Sequence, residues 1–83
     1  MKHAKVTVPW REGLHLRYAV KLVKVAQGFS STIVLKCDGK IADLRSIISV
    51  LALCAAMGSV LDVEVAGDDE QAAVQSVELM FLA

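Results

Sequence analysis

The dipeptide Asp38-Gly39 is the feature that most constrains how this chain can fold. It lies between two strand-like runs, "STIVLKC" (residues 31–37) and "KIAD" (residues 40–43). Both central positions of a two-residue hairpin turn need a positive φ, which Asp and Gly adopt more readily than most residues. The sequence therefore predicts a tight β-hairpin, whose first strand has one apolar face formed by Ile33, Leu35 and Cys37.

The segments on either side of the hairpin alternate between strand and helix periodicity. "KVTVP" (residues 5–9) and "VLDVEVA" (residues 60–66) have apolar residues at every second position, which is typical of strands with one buried face. Residues 16–27 carry apolar side chains at helical spacing, and we expect Gly28 to end this helix.

Two further helices are expected in the second half of the chain. One should begin at Ser46, whose hydroxyl is suited to an N-cap, and run through "SIISVLALCAA" (residues 46–56). Another should open with a capping box formed by Asp68 and Gln71. Its apolar stripe is predicted to contain Val74, Val77 and Phe81.

The resulting element order, β-α-β-β-α-β-α, indicates an α+β fold. Two βαβ-like halves in 83 residues favour one four-stranded sheet with all three helices on one face. At this length we expect a single domain over residues 1–83, with no room for a second core.

Charge and composition exclude several classes of function. Nine basic and nine acidic residues give a formal net charge of zero, which argues against a nucleic-acid binder. His3, His15 and Cys37 are too scattered for a metal site, and no motif implies a cofactor. The most apolar run, residues 47–61, is too short to span a membrane, and the N-terminus does not resemble a secretory signal. We therefore expect a cytoplasmic protein without membrane insertion.

The segment "GLHLRYAV" (residues 13–20) holds the strongest candidate for chemistry. His15 should lie at the N-terminus of the first helix, where free N–H groups and the helix dipole attract anions, and Arg17 in its first turn. An imidazole nitrogen is a nucleophile near neutral pH, and nearby positive charge would stabilise a phosphoryl group bound to it. These residues favour a phosphoryl carrier. On spacing alone, His15 could instead be a helix cap and Arg17 a solvated charge.

Three segments, considered together in their order along the chain, resemble one known protein family. "EGLHLRYAVKLVKVAQGFSS" (residues 12–31), "DGKIADLRSIISVLAL" (residues 38–53) and "VEVAGDDEQAAVQSV" (residues 63–77) resemble the HPr family. Its members are histidine-containing phosphocarriers of the bacterial phosphoenolpyruvate-dependent phosphotransferase system. The resemblance covers nearly the whole chain and implies the HPr-like open-faced β-sandwich, with three helices over a four-stranded antiparallel sheet.

The same resemblance implies roles for the residues around His15. His15 would accept a phosphoryl group from phosphorylated enzyme I and pass it to an EIIA-type domain. Arg17 and the backbone N–H groups of Leu16, Arg17 and Tyr18 would hold the phosphoryl oxygens. The protein would then be a stoichiometric carrier rather than an enzyme, serving sugar uptake, a nitrogen-type relay or a dihydroxyacetone relay.

Tyr18 departs from the family pattern, which usually has proline at this position. Proline in a first turn costs no hydrogen bond, so tyrosine there should not disturb the helix. It does place a bulky ring and a hydroxyl near His15. The alternative function is therefore a non-transferring regulatory or protein-binding module on the same fold, although the presence of both His15 and Arg17 argues against it.

The second helix leaves almost no polar face, which indicates a partner surface or simply exposed aliphatic side chains. The resemblance places the docking surface for enzyme I and EIIA on Val20, Lys24, Ile47, Ile48 and Leu51, with Lys21 as a further candidate.

Ser46 has a second interpretation besides its N-cap role. In many bacteria the matching serine of HPr is a regulatory phosphorylation site, so the resemblance adds a serine kinase/phosphorylase as a candidate partner. We expect a monomer, in which Trp10 and Phe29 are packing residues rather than a stacking platform for a ligand.

Overall fold

The computed structural model describes residues 1–82, and seven helices and strands are found in that part of the chain. In chain order they are β1 (Lys2–Thr7), α1 (Leu16–Gln27), β2 (Thr32–Cys37), β3 (Lys40–Asp43), α2 (Ile47–Ala52), β4 (Val60–Ala66) and α3 (Glu70–Met80).

The four strands form one antiparallel sheet in the order β1-β4-β2-β3. Strand β4 lies inside the sheet, so that Val63 pairs with Ala4 of β1 on one side and with Leu35 of β2 on the other. Strands β2 and β3 are joined by the predicted two-residue turn, in which Asp38 has φ 50° and Gly39 has φ 80°. The hairpin prediction is confirmed, including the positive φ at both positions.

Only one face of the sheet is buried, because polar and apolar residues alternate along its strands. Leu61, Val63 and Val65 are fully buried, whereas the intervening Asp62 and Glu64 point outward and pair with lysines of neighbouring strands. Helix α2 contacts β3, α3 contacts β1 and β4, and α1 packs against both other helices. The predicted four-stranded antiparallel sheet with three helices on one face is confirmed.

Element bounds agree with the predictions for α1, β3 and β4 and differ elsewhere. Strand β1 covers Lys2–Thr7 rather than residues 5–9. Helix α2 ends at Ala52 instead of residue 56, because Cys54 adopts a left-handed backbone (φ 51°). This bend turns Leu53 and Ala55 into the core, where each is about 5% exposed. The burial of these two side chains outweighs the continued helix that the apolar run predicts.

The predicted capping box of the third helix is wrong. Asp69 is the N-cap of α3, and it makes no side-chain cap hydrogen bond, because its carboxylate is bound by Ser30 and Ser31 instead. Glu70 supplies the local acceptor, taking a hydrogen bond from the Gly67 amide at 3.2 Å. The predicted apolar stripe is buried, with Phe81 placed one residue beyond the helix end.

Candidate functional site

The loop before α1 packs against the segment that follows α2, at Ala55. The Gly13 amide donates to the Trp10 carbonyl at 2.9 Å, and the Leu14 amide donates to the Ala55 carbonyl at 2.8 Å. Gly13 has φ +79°, and a Cβ atom there would lie 2.6 Å from the Ala55 oxygen. Only glycine satisfies both conditions, so this contact fixes the position from which His15 enters the helix.

His15 is the N-cap of α1 and has an extended backbone. Its Nδ1 accepts a hydrogen bond from the Arg17 amide at 3.4 Å. A neutral imidazole has one acceptor nitrogen and one donor nitrogen, so we assign the lone pair to Nδ1 and the proton to Nε2. Nε2 is enclosed and has no hydrogen-bond partner among the described residues. Nδ1, the nitrogen with the lone pair, is therefore the one that faces the helix N-terminus, where the Arg17 amide binds it.

Tyr18 connects His15, Arg17 and the core. Its ring is stacked on Trp10, with ring centres 4.0 Å apart and planes 8° from parallel. The Tyr18 and His15 rings form a T-shaped contact, with ring centres 5.2 Å apart and planes 71° from parallel. Arg17 Nη2 donates to the Tyr18 hydroxyl at 3.1 Å. Trp10 is buried and also contacts Phe81, which confirms its predicted role in packing.

The start of α1 carries positive charge without a carboxylate to balance it. No Asp or Glu occupies the first turn, and Arg17 is exposed there. The Leu16 amide donates none of the hydrogen bonds found within residues 1–82. The Tyr18 amide, in contrast, donates to the His15 carbonyl at 3.1 Å. Of the three amides that the resemblance implies for phosphoryl oxygens, only that of Leu16 has no partner within residues 1–82, because the Arg17 amide donates to His15 Nδ1 and the Tyr18 amide to the His15 carbonyl.

The side chains expected in the docking surface lie on α1 and α2, which pack against each other. Ile48 is 79% exposed, whereas Ile47 and Leu51 are half-buried against the core. On α1, Lys24 is exposed and Val20 is half-buried. The two helices thus present apolar side chains together with a basic residue.

Two exposed apolar side chains were not predicted for this region. Leu16 is 58% exposed at the first position of α1, and Met57 is 59% exposed after α2. The exposure of Leu16 could have been predicted from the sequence, because Leu16 precedes the buried apolar stripe of α1, which begins at Ala19.

Ser46 is the N-cap of α2, as predicted. Its hydroxyl accepts from the Ser49 amide at 3.2 Å, and the residue is exposed.

The two cysteines form neither a disulfide nor part of a metal site in the described part of the chain. Cys37 is buried in the sheet, and burial raises the pKa of its thiol, with the Asp38 carboxylate adding to the effect. Cys54 is exposed after α2. Within residues 1–82 no group of three or more His, Cys, Asp or Glu side chains could hold a metal ion. No helix in this range is both long enough and apolar enough to cross a bilayer.

A family model described as "PTS HPr component phosphorylation site" matches residues 2–82. The chain belongs to the HPr family. The HPr phosphocarrier of Xylella fastidiosa (strain Temecula1) is 35% identical over 81 residues, covering 98% of this chain and 91% of that protein. The phosphocarrier protein NPr of Proteus mirabilis is 33% identical over 81 residues, covering 96% of this chain and 90% of that protein.

Solved HPr structures share the fold over nearly the whole chain. HPr from Thermoanaerobacter tengcongensis superposes with a TM-score of 0.92 at 31% identity, covering 98% of this chain and 91% of that one. HPr from Bacillus anthracis gives a TM-score of 0.90 at 26% identity, covering 96% and 95% of the two chains. The resemblance found in the sequence is confirmed, and the chain is a member of the phosphocarrier family of the phosphotransferase system.

Proposed function

We propose that this HPr-family protein carries a phosphoryl group on Nδ1 of His15, taken from phosphorylated enzyme I and delivered to an EIIA-type domain. One observation carries the proposal. The Nδ1 lone pair faces the N-terminus of α1, a helix end that has basic residues nearby and no carboxylate in its first turn. Family membership supports the same role.

The tautomer of His15 suits direct phosphoryl transfer. The Arg17 amide first releases Nδ1, whose lone pair then attacks phosphorus. A new N–P bond forms, and the bond from phosphorus to the donor atom breaks, leaving its electron pair with the donor. Because the proton is on Nε2, no base has to remove a proton from Nδ1. The ring then carries a positive charge that makes it a good leaving group, so the same steps in reverse pass the phosphoryl group to the next acceptor.

The dianionic phosphoryl group would be stabilised by the start of α1. The amides of Leu16 and Arg17 lie in the first turn, where the helix dipole adds partial positive charge. The Arg17 guanidinium has five N–H donors and uses one Nη2 hydrogen for the Tyr18 hydroxyl. The remaining donors are available for charge-assisted hydrogen bonds to phosphoryl oxygens.

The protein acts in this proposal as a stoichiometric carrier of one domain, a substrate of enzyme I and a donor to EIIA, and not as an enzyme. Its docking surface comprises Val20, Lys24, Ile47, Ile48 and Leu51 together with Leu16. A cytoplasmic location and a monomeric state are part of this proposal. Regulation by a kinase acting on Ser46 stays a prediction, and nothing in the geometry of His15 favours the non-transferring alternative.

The test is transfer of label from phosphoenolpyruvate in the presence of enzyme I from the same organism. We expect one acid-labile, base-stable phosphate per chain, which moves to EIIA when that domain is added. His15→Ala should abolish the labelling. His3→Ala is the matched control, because His3 is exposed on β1, and it should label like the unaltered protein. An unaltered protein that takes up no label would refute the proposal.

A further inference from the structure

An aromatic column runs from the core to the start of α1. Phe81 contacts Trp10 with ring centres 5.0 Å apart, and Trp10 stacks on Tyr18 at 4.0 Å. Trp10 is only 6% exposed and Phe81 5% exposed, so the base of the column is held by the core. The Tyr18 ring, although half-buried itself, is therefore fixed from beneath.

The hydroxyl end of this column holds the Arg17 guanidinium. Nη2 of Arg17 donates to the Tyr18 hydroxyl at 3.1 Å, and the guanidinium carbon lies 5.1 Å from the ring centre, within cation–π range. Arg17 makes no ion pair within residues 1–82 and is otherwise exposed. An exposed arginine without a partner samples many rotamers, and ordering it costs conformational entropy. Tyr18 is the residue that restricts it.

We propose that Tyr18 is a positioning residue that holds Arg17 beside His15 before the phosphoryl group arrives. The inference rests on the proposed function of His15. The Tyr18 and His15 ring centres are 5.2 Å apart, and the Tyr18 hydroxyl accepts from the guanidinium of Arg17, whose own amide binds Nδ1. A proline at position 18 offers neither a hydroxyl acceptor nor a ring for the cation. This chain therefore uses its departure from the family pattern to preorganise the phosphoryl-binding arginine.

Tyr18→Phe isolates the hydroxyl, because phenylalanine keeps the stack on Trp10. With enzyme I as donor, we expect kcat to fall about threefold to tenfold, the cost of ordering one free long side chain during transfer. KM should not change, because the docking surface is untouched. The rate with phosphoramidate, a donor that needs no enzyme, should fall by the same factor. Trp10 fluorescence serves as the control and should be unchanged, since Trp10 is the single tryptophan.

A double-mutant cycle with Arg17→Ala tests whether Tyr18 acts through Arg17. In that background Tyr18→Phe should have no further effect on the rate, whereas a merely structural role would lower it again. A second readout needs no phosphoryl transfer: in ¹⁵N-arginine spectra, the Arg17 guanidinium should rotate more slowly in the unaltered protein than in Tyr18→Phe.

The outcomes separate this inference from the proposed function. If the unaltered protein is phosphorylated and Tyr18→Phe is equally fast or faster, the positioning role is overturned while the carrier function stands. An equal loss of rate in the Arg17→Ala background, or identical guanidinium rotation in the two proteins, also overturns the positioning role. If His15 of the unaltered protein accepts no phosphoryl group from either donor, the proposed function fails and this inference fails with it.

Discussion

Helices α1 and α3 begin in opposite ways. At the start of α3, the Asp69 carboxylate accepts from the Ser30 amide at 2.8 Å, the Ser31 amide at 3.0 Å and the Ser31 hydroxyl. Glu70, in the first turn, binds the Gly67 amide. The first turn of α1 has no carboxylate, and the His15 side chain accepts one long hydrogen bond of 3.4 Å from its own helix.

The difference lies in which groups meet the positive end of each helix. The Ser31 hydroxyl and then the Ser30 amide lower the pKa of Asp69, and the chain's N-terminal amine and the Gly67 amide lower that of Glu70. Both side chains are therefore anionic at neutral pH and complement the dipole of α3. The end of α1 has no such anion from the chain itself, which leaves it suited to an anion from outside.

The largest expected effect comes from giving α1 the kind of start that α3 has. Arg17→Glu places a carboxylate in the first turn, where it repels a phosphoryl group and removes the guanidinium donors. We expect kcat for phosphorylation of His15 to fall about 100-fold or more. The fold should persist, because carboxylates are favoured in a first turn. Lys40→Glu makes the same charge change in β3 and should leave the rate unaltered; an Arg17→Glu rate within tenfold of the original would contradict the comparison.

The second effect concerns the loop that carries His15. Gly13→Ala should lower the free energy of unfolding by about 2–4 kcal/mol, because it combines a left-handed φ with a close approach to the Ala55 carbonyl. Gly39 is the matched control, since its φ is +80° but a Cβ there would meet nothing within 4 Å. Gly39→Ala should cost only about 1 kcal/mol. Urea unfolding measures both, and equal losses would show that the contact with Ala55 contributes nothing.

The third prediction tests the hydrogen-bonded Asp69 carboxylate at the N-terminus of α3. Because the folded pKa of Asp69 lies below its unfolded value of about 3.9, this carboxylate stabilises the fold above about pH 4. That contribution is lost as pH falls through the folded pKa. Asp69→Asn should therefore destabilise the protein at pH 7 and make unfolding less dependent on pH in acid. The neighbouring Asp68 makes no side-chain hydrogen bond or ion pair within residues 1–82, so Asp68→Asn should leave stability at pH 7 unaltered. Phosphorylation of His15 should be normal in both variants.

The smallest expected effect is on docking. Ile48→Ser removes an exposed side chain of the proposed docking surface, so we expect the KM of enzyme I for this protein to rise about fivefold, with kcat unchanged. Ile41→Ser is the control, because Ile41 is 65% exposed on β3. If both substitutions raise KM equally, or neither does, the docking surface has been placed on the wrong residues.

Local patterns were sufficient for most of the fold. The bounds of α1, the hairpin at Asp38-Gly39 and strand β4 follow from periodicity and turn chemistry, which act over a few residues. His15 and Arg17 could be placed at a helix N-terminus for the same reason.

Contacts between distant segments could not be predicted in this way. The Asp69 carboxylate binds Ser31, which lies 38 residues away in the sequence. This tertiary hydrogen bond forms in place of the capping box that local spacing suggested. The end of α2 depends on burial of Leu53 and Ala55, and an unbroken apolar run does not show where a helix stops. The stack of Tyr18 on Trp10 depends on how the intervening loop is seated, and no periodic signal encodes it.

The most direct test of the central claim is to determine which nitrogen of His15 carries the phosphoryl group. After phosphorylation of ¹⁵N-histidine-labelled protein, ¹H–¹⁵N spectra of the ring distinguish substitution at Nδ1 from substitution at Nε2. Because Nδ1 of His15 faces the N-terminus of α1, which has no carboxylate in its first turn, we predict phosphate on Nδ1 of His15, with His3 unmodified. Phosphate on Nε2, or an unmodified His15 in a protein that carries label elsewhere, would contradict the account.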